Sequence, residues 1–127
     1  MSVTADNREI YNRNYSGREC DIGGGDSDAL TREMVAMRSG YVRRLGHGRD
    51  VLDLCCGTGT YLLPDLASFR SAVAVDFSAN MLDGLRARLP DPQPENLTIL
   101  EEDAAELSLA DASIDFAWSW TSLYYVP

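Results

Sequence analysis

The apolar positions of this chain change period along its length. Between Asp28 and Leu45, the residues Leu30, Met34, Met37, Tyr41 and Leu45 recur at steps of four, three, four and four, which is the stripe of one helix face. Asp26, Asp28 and Glu33 near its start and Arg38, Arg43 and Arg44 near its end suit the helix macrodipole, and Gly46 can end it. The stripe predicts a helix that covers one face of a sheet. The period then shortens. Val51-Leu52-Asp53-Leu54 reads as a buried strand that runs into the turn Cys55-Cys56-Gly57-Thr58-Gly59-Thr60. Tyr61-Leu62-Leu63-Pro64-Asp65-Leu66 predicts a helix directly after it, with its proline in the first turn, where the missing N–H is harmless.

Ala72-Val73-Ala74-Val75-Asp76 is a second short strand, and Ser78 caps a helix that carries Met81, Leu82, Leu85 and Leu89. Pro90-Asp91-Pro92-Gln93-Pro94 stops that helix. Leu97–Leu100 and Ile114–Trp118 supply a third and a fourth strand. Strands and helices that alternate through short loops imply a doubly wound parallel α/β sheet of Rossmann-like type, with its ligand at the carboxyl ends of the strands. The first 28 residues are polar and read as an irregular arm, closed by the break Gly23-Gly24-Gly25. Tyr11 and Tyr15 stand four apart within it, on one face if the segment is helical, and read as a pair that anchors the arm to the body.

Composition narrows the function classes. A chain of 127 residues with 45% apolar content is one globular domain's worth. No apolar run approaches a membrane span, and the opening residues have no signal core. The net charge of −9 disfavours nucleic-acid and anionic-membrane partners, which need positive charge. All eleven basic residues are arginine, so P-loop, Schiff-base and pyridoxal phosphate lysines are excluded within these residues. The single histidine, His47, and the cysteines Cys20, Cys55 and Cys56 offer neither a Ser-His-Asp set nor a recognised zinc spacing, so no metal is expected. Adjacent cysteines imply no disulfide framework and fit a reducing cytoplasm.

The candidate chemistry lies at the glycine turn. Gly57 and Gly59 permit positive φ and let a ligand approach backbone amides, although Gly-x-Gly alone also fits an empty turn. Asp76 stands 17 positions after Gly59, close to the spacing of about 20 at which a second-strand carboxylate grips ribose hydroxyls. Asp103, just after the third strand, joins Asp53 and Asp76 on the same sheet edge. A nicotinamide fingerprint needs a glycine where Leu62 stands.

The pattern Asp53-x-Cys55-x-Gly57-x-Gly59 instead resembles the first motif of class I S-adenosylmethionine-dependent methyltransferases, with Cys55 at the first of three usual glycines. Leu100–Leu107 resembles their third-strand motif, and Ile114–Pro127 their fourth. The resemblance implies S-adenosylmethionine as cofactor, bound through Asp53, Cys55, Gly57, Gly59, Asp76, Phe77, Asp103, Ala104 and Ser119, and a small-molecule acceptor. Residues 29–127 are then the cofactor domain behind the arm 1–28. No catalytic base is named by the sequence; Asp115 reads as a strand-edge acid, and Trp118, Trp120, Tyr124 and Tyr125 as core and cleft wall, with Trp120 a candidate for the acceptor site. That family continues with three more strands. The chain is therefore expected to be a fragment or a reduced relative, with an open edge at its fourth strand that invites self-association or a partner chain. A non-catalytic binding module and a nicotinamide-dependent oxidoreductase are the alternatives.

Overall fold

The computed structural model describes residues 3–14, 29–120, 123 and 126. Strands β1 (Asp50–Leu54), β2 (Ser71–Asp76), β3 (Leu97–Glu101) and β4 (Phe116–Trp118) pair in the order β3-β2-β1-β4, every pair parallel. The chain thus travels outward from β1 through β2 to β3 and then returns to the far side of β1. In such a sheet the ligand crevice opens at the carboxyl ends, beside the strand where the direction reverses. The central strands are apolar on both faces, as a covered parallel sheet requires: Val51, Leu52, Ala72, Ala74 and Val75 are all buried.

Helix α1 (Val3–Asn14) lies in the arm expected to be irregular. It has no strong apolar stripe, and its visible support is tertiary: Asn12 accepts from the Ser78 hydroxyl at 2.8 Å, and the Asn80 side chain donates to the Asn12 carbonyl. Tyr15, the break at 23–25, Asp26 and Asp28 lie outside the described residues, as do Tyr124 and Tyr125.

Helix α2 (Ala29–Gly46) has the expected extent but presents a different face. Leu30, Met37, Tyr41 and Leu45 are exposed, whereas Val42 is fully buried and Val35 packs against the core. The inward face therefore runs Val35, Arg38, Val42, Gly46. Gly46 belongs to the helix, and its role is steric: a Cβ there would lie 2.7 Å from the Phe69 ring. The aromatic ring that fills this gap selects the face, overriding the stripe of larger apolar residues.

No α-helix follows the glycine turn. The segment forms a 3-10 helix, Leu63–Ser68, with Pro64 in its first turn. The Ser68 hydroxyl donates to the Asp65 carbonyl, which an α-helix would offer to the Phe69 N–H, and that N–H donates instead to the Leu66 carbonyl, the tighter 3-10 step. Helix α3 (Ala79–Ala87) starts where expected, with the Ser78 hydroxyl accepting from the Met81 N–H.

The amino edge of the sheet is clasped by charge. Arg70 donates to Asp50 through Nε at 2.9 Å and Nη2 at 2.5 Å and reaches Asp115 at 2.8 Å, while the Ser71 hydroxyl donates to Asp50. Asp115 also accepts from the Asp50 N–H, which ties the approach to β4 onto β1. The Arg70 and Ser71 hydrogen bonds hold the Asp50 carboxyl down at about 2. Because its folded value lies below the unfolded one, this clasp stabilises the protein above about pH 4 and is lost as pH falls through about 2. The Tm gap between the parent and Arg70→Met is therefore expected to close across that interval, and to narrow with salt at neutral pH because the groups are exposed. A gap that persists unchanged at pH 2 would refute the assignment.

Candidate active site at the carboxyl edge

The carboxyl ends of β1, β2 and β4 bring together most of the residues singled out from sequence. Asp53 is buried one residue before the end of β1, and Asp76 is buried at the end of β2. Beyond β1 the chain enters left-handed backbone at Cys55 (φ 58°), Gly57 (φ 55°) and Gly59 (φ 78°). Cys55 thus takes the conformation that glycine would adopt without strain, at a cost of about 1–2 kcal/mol.

Asp76 organises the turn. Its Oδ2 accepts from the Gly57 N–H at 2.9 Å and its Oδ1 from the Ser78 N–H at 3.0 Å, so one carboxylate fixes both the turn and the start of α3. Burial raises its pKa, against the pull of these backbone donors. Asp53 is raised well above the usual carboxylate range, first by burial and then by the charge of Asp76. The Trp118 indole opposes that rise, yet its N–H makes no hydrogen bond of ordinary geometry. The Cys55 thiol is pushed up to about 11 by burial and by Asp76, Asp53 and Asp103.

The two glycines are confined by different neighbours. A Cβ on Gly57 would meet only the flexible end of Met81, at 3.0 Å, whereas one on Gly59 would lie 2.5 Å from Leu85 Cδ1 and 3.2 Å from Leu63 Cγ. Gly59 therefore gives α3 its close approach to the turn. Arg88, just past α3, reaches back to donate to the Thr58 carbonyl at 3.0 Å and the Thr58 hydroxyl at 3.2 Å.

Phe77 is half-buried, with the Arg8 guanidinium 5.9 Å above its ring. Asp103 and Ala104 follow β3, and Asp103 Oδ1 accepts from the Ala105 N–H at 2.9 Å. Ser119 follows β4; its hydroxyl is buried and near Cys55 but lacks a hydrogen bond of ordinary geometry. Among the described residues no group of three or more His, Cys, Asp and Glu side chains could hold a metal ion. No described helix is long and apolar enough to cross a membrane.

Sequence reasoning missed four participants: Arg8, Asn12 and Arg88, which no local motif marks, and Arg38, read there only as a dipole partner. A rotation of the apolar face of α2 toward Val35 and Val42 would have exposed the last of these, since Arg38 shares their side of the helix.

Residues 51–127 match the model of a family described as a methyltransferase domain. The chain is 32% identical over 119 residues to a demethylmenaquinone methyltransferase of Lactococcus lactis, covering 90% of this chain and 47% of that protein. It spans between about a third and a half of the length of the curated relatives it matches. The magnesium protoporphyrin IX methyltransferase of Synechocystis, solved with bound SAM, superposes with a TM-score of 0.77 at 18% identity, over 100% of this chain and 65% of that one. An S-adenosylmethionine-dependent methyltransferase from Mesorhizobium loti gives a TM-score of 0.57 at 30% identity, over 65% of this chain and 36% of that one. The fold is the Rossmann-like one of class I methyltransferases, and the chain belongs to the methyltransferase domain family.

Proposed function

We propose that this chain carries the cofactor half of an S-adenosylmethionine-dependent methyltransferase that acts on a small-molecule acceptor. The observation that carries the reading is the hydrogen bond from the Gly57 N–H to Asp76. A phosphate cradle offers its turn amides to an anion, whereas here one is spent on a carboxylate, with Asp53 and Asp103 beside it. Such an edge repels a pyrophosphate and suits a cationic sulfonium nucleoside. This disfavours a nicotinamide dinucleotide.

In this reading Asp76 receives the ribose hydroxyls, the Cys55–Gly59 turn lies against the methionyl part, and Phe77, Asp103 and Ala104 face the adenine. Asp53 backs the turn, and Ser119 stands near the reacting end. The bound cofactor supplies a methyl group already activated on sulfur. The protein's tasks are then alignment and exclusion of water, and no obligatory nucleophile is required. Free thiols at Cys55 and Cys56 suit a reducing cytoplasm. The small-molecule acceptor is supported by the acidic charge and by the likeness to a demethylmenaquinone and a magnesium protoporphyrin IX methyltransferase.

A binding module without turnover is the second reading. In both, β4 pairs with β1 alone among the described strands, and its free edge is where a further strand or a partner chain would add. Calorimetric titration with S-adenosylhomocysteine tests the common core: saturable binding is expected, with no heat from NADH. Binding of NADH and not of S-adenosylhomocysteine would overturn it. Methyl transfer to a panel of small acceptors then separates enzyme from module.

A further inference from the structure

Helix α2 runs antiparallel to β1. Gly46 sits near the amino end of that strand, and Arg38, eight residues earlier, lies about 12 Å back along the helix axis, at the height of the carboxyl edge. There the guanidinium stands 5.0 Å from the Trp120 ring centroid, and Nη1 donates to the Tyr61 hydroxyl at 3.3 Å. Tyr61 and Trp120 are themselves in contact, with ring centroids 6.1 Å apart. Tyr61 follows the glycine turn and Trp120 follows β4, so the three side chains bracket the reversal point of the sheet.

The charge of Arg38 is what sets this cluster apart. The chain holds 20 acidic residues, and Arg43 on the same helix pairs with Asp65 at 2.8 Å. Arg38 is half-buried and faces inward, yet no described carboxylate lies within ion-pair distance of it. A partly desolvated guanidinium backed by aromatic rings keeps most of its five donors for a planar anion. An indole face beside it suits a flat ligand.

We propose that Arg38, Tyr61 and Trp120 form the recognition site for the methyl acceptor, and that this acceptor is a flat small molecule bearing a carboxylate. The proposal rests on the cofactor reading above, because it is the cofactor that would place the reacting methyl beside the end of β4. The cofactor's own methionyl carboxylate is the other source of the same chemistry, and the experiment separates the two.

The chain, saturated with S-adenosylhomocysteine, is titrated with benzoate and with benzamide, which share shape and differ in charge. Calorimetry and the NMR signals of the two indole N–H groups report binding. Benzoate is expected to bind at least about tenfold more tightly than benzamide and to move one indole signal. Arg38→Gln should abolish that preference while S-adenosylhomocysteine affinity stays within about twofold. Equal binding of the two probes by the parent overturns the proposal without any variant. So does a variant that keeps the preference and loses S-adenosylhomocysteine, since the guanidinium then serves the cofactor. If the parent prefers benzoate but never binds S-adenosylhomocysteine, the cofactor reading fails and the anion site stands.

Discussion

Gly59→Val is expected to unfold the protein at temperatures the parent withstands, whether or not cofactor is present. The position has φ 78°, and a Cβ there would meet Leu85 Cδ1 at 2.5 Å. A left-handed β-branched residue costs about 1–2 kcal/mol and overpacking a further 1–3 kcal/mol, together a Tm loss of roughly 10–20 °C for a domain of this size. Gly57→Val has only the end of Met81 to displace and should lose about half as much. Thermal melts of both variants check this. A second comparison makes the cause specific: in a cycle of Gly59→Ala with Leu85→Ala, the pair should be less destabilising than the sum, because the smaller residue at 85 vacates the space. Additive losses, or equal melts for the two valine variants, would show that α3 does not limit the turn.

Asp76→Asn should cut S-adenosylhomocysteine affinity by tenfold to a hundredfold, about 1.5–3 kcal/mol of charge-assisted hydrogen bonding. It should also lower Tm. The carboxylate accepts from the N–H groups of Gly57 and Ser78 with separate oxygens, and an amide sets a donor against one of them. Lost affinity alone therefore does not establish a ribose contact. Analogues lacking the 2′- or 3′-hydroxyl separate the effects: the parent should discriminate against them by about tenfold, and Asp76→Asn should treat them as equals of the complete ligand. A parent indifferent to the missing hydroxyls would remove Asp76 from the ribose and leave it as the organiser of the turn.

Much of this edge was legible because its signals are short-range. Strand runs, the Gly-x-Gly turn, the Ser78 cap and the spacing to Asp76 each depend on a few adjacent residues, and the four strands appear where those signals lie. What the sequence concealed depends on neighbours far along the chain. Helix α1 is too polar to announce itself and is held through Asn12 by Ser78 and Asn80, more than sixty positions away. The face of α2 is chosen by Phe69 pressing on Gly46, against a stripe of larger apolar residues that periodicity alone prefers. The same blindness hid Arg38, whose aromatic partners follow β1 and β4. The one local exception is the 3-10 helix after the glycine turn, where the Ser68 hydroxyl takes the Asp65 carbonyl.

Cys55 carries a consequence of its own. A thiolate beside a sulfonium methyl would itself be an acceptor, and an enzyme so arranged would alkylate its own turn and stop. With its thiol pushed up to about 11, first by burial, Cys55 stays protonated at pH 7. In the proposed reading Asp76 and Asp103 would also receive the cationic donor, and with Asp53 they add to the burial that keeps this sulfur protonated. Burial is the first guard against such self-inactivation, and the acids proposed to attract the methyl donor reinforce it, so neutralising them would weaken both the attraction and that reinforcement.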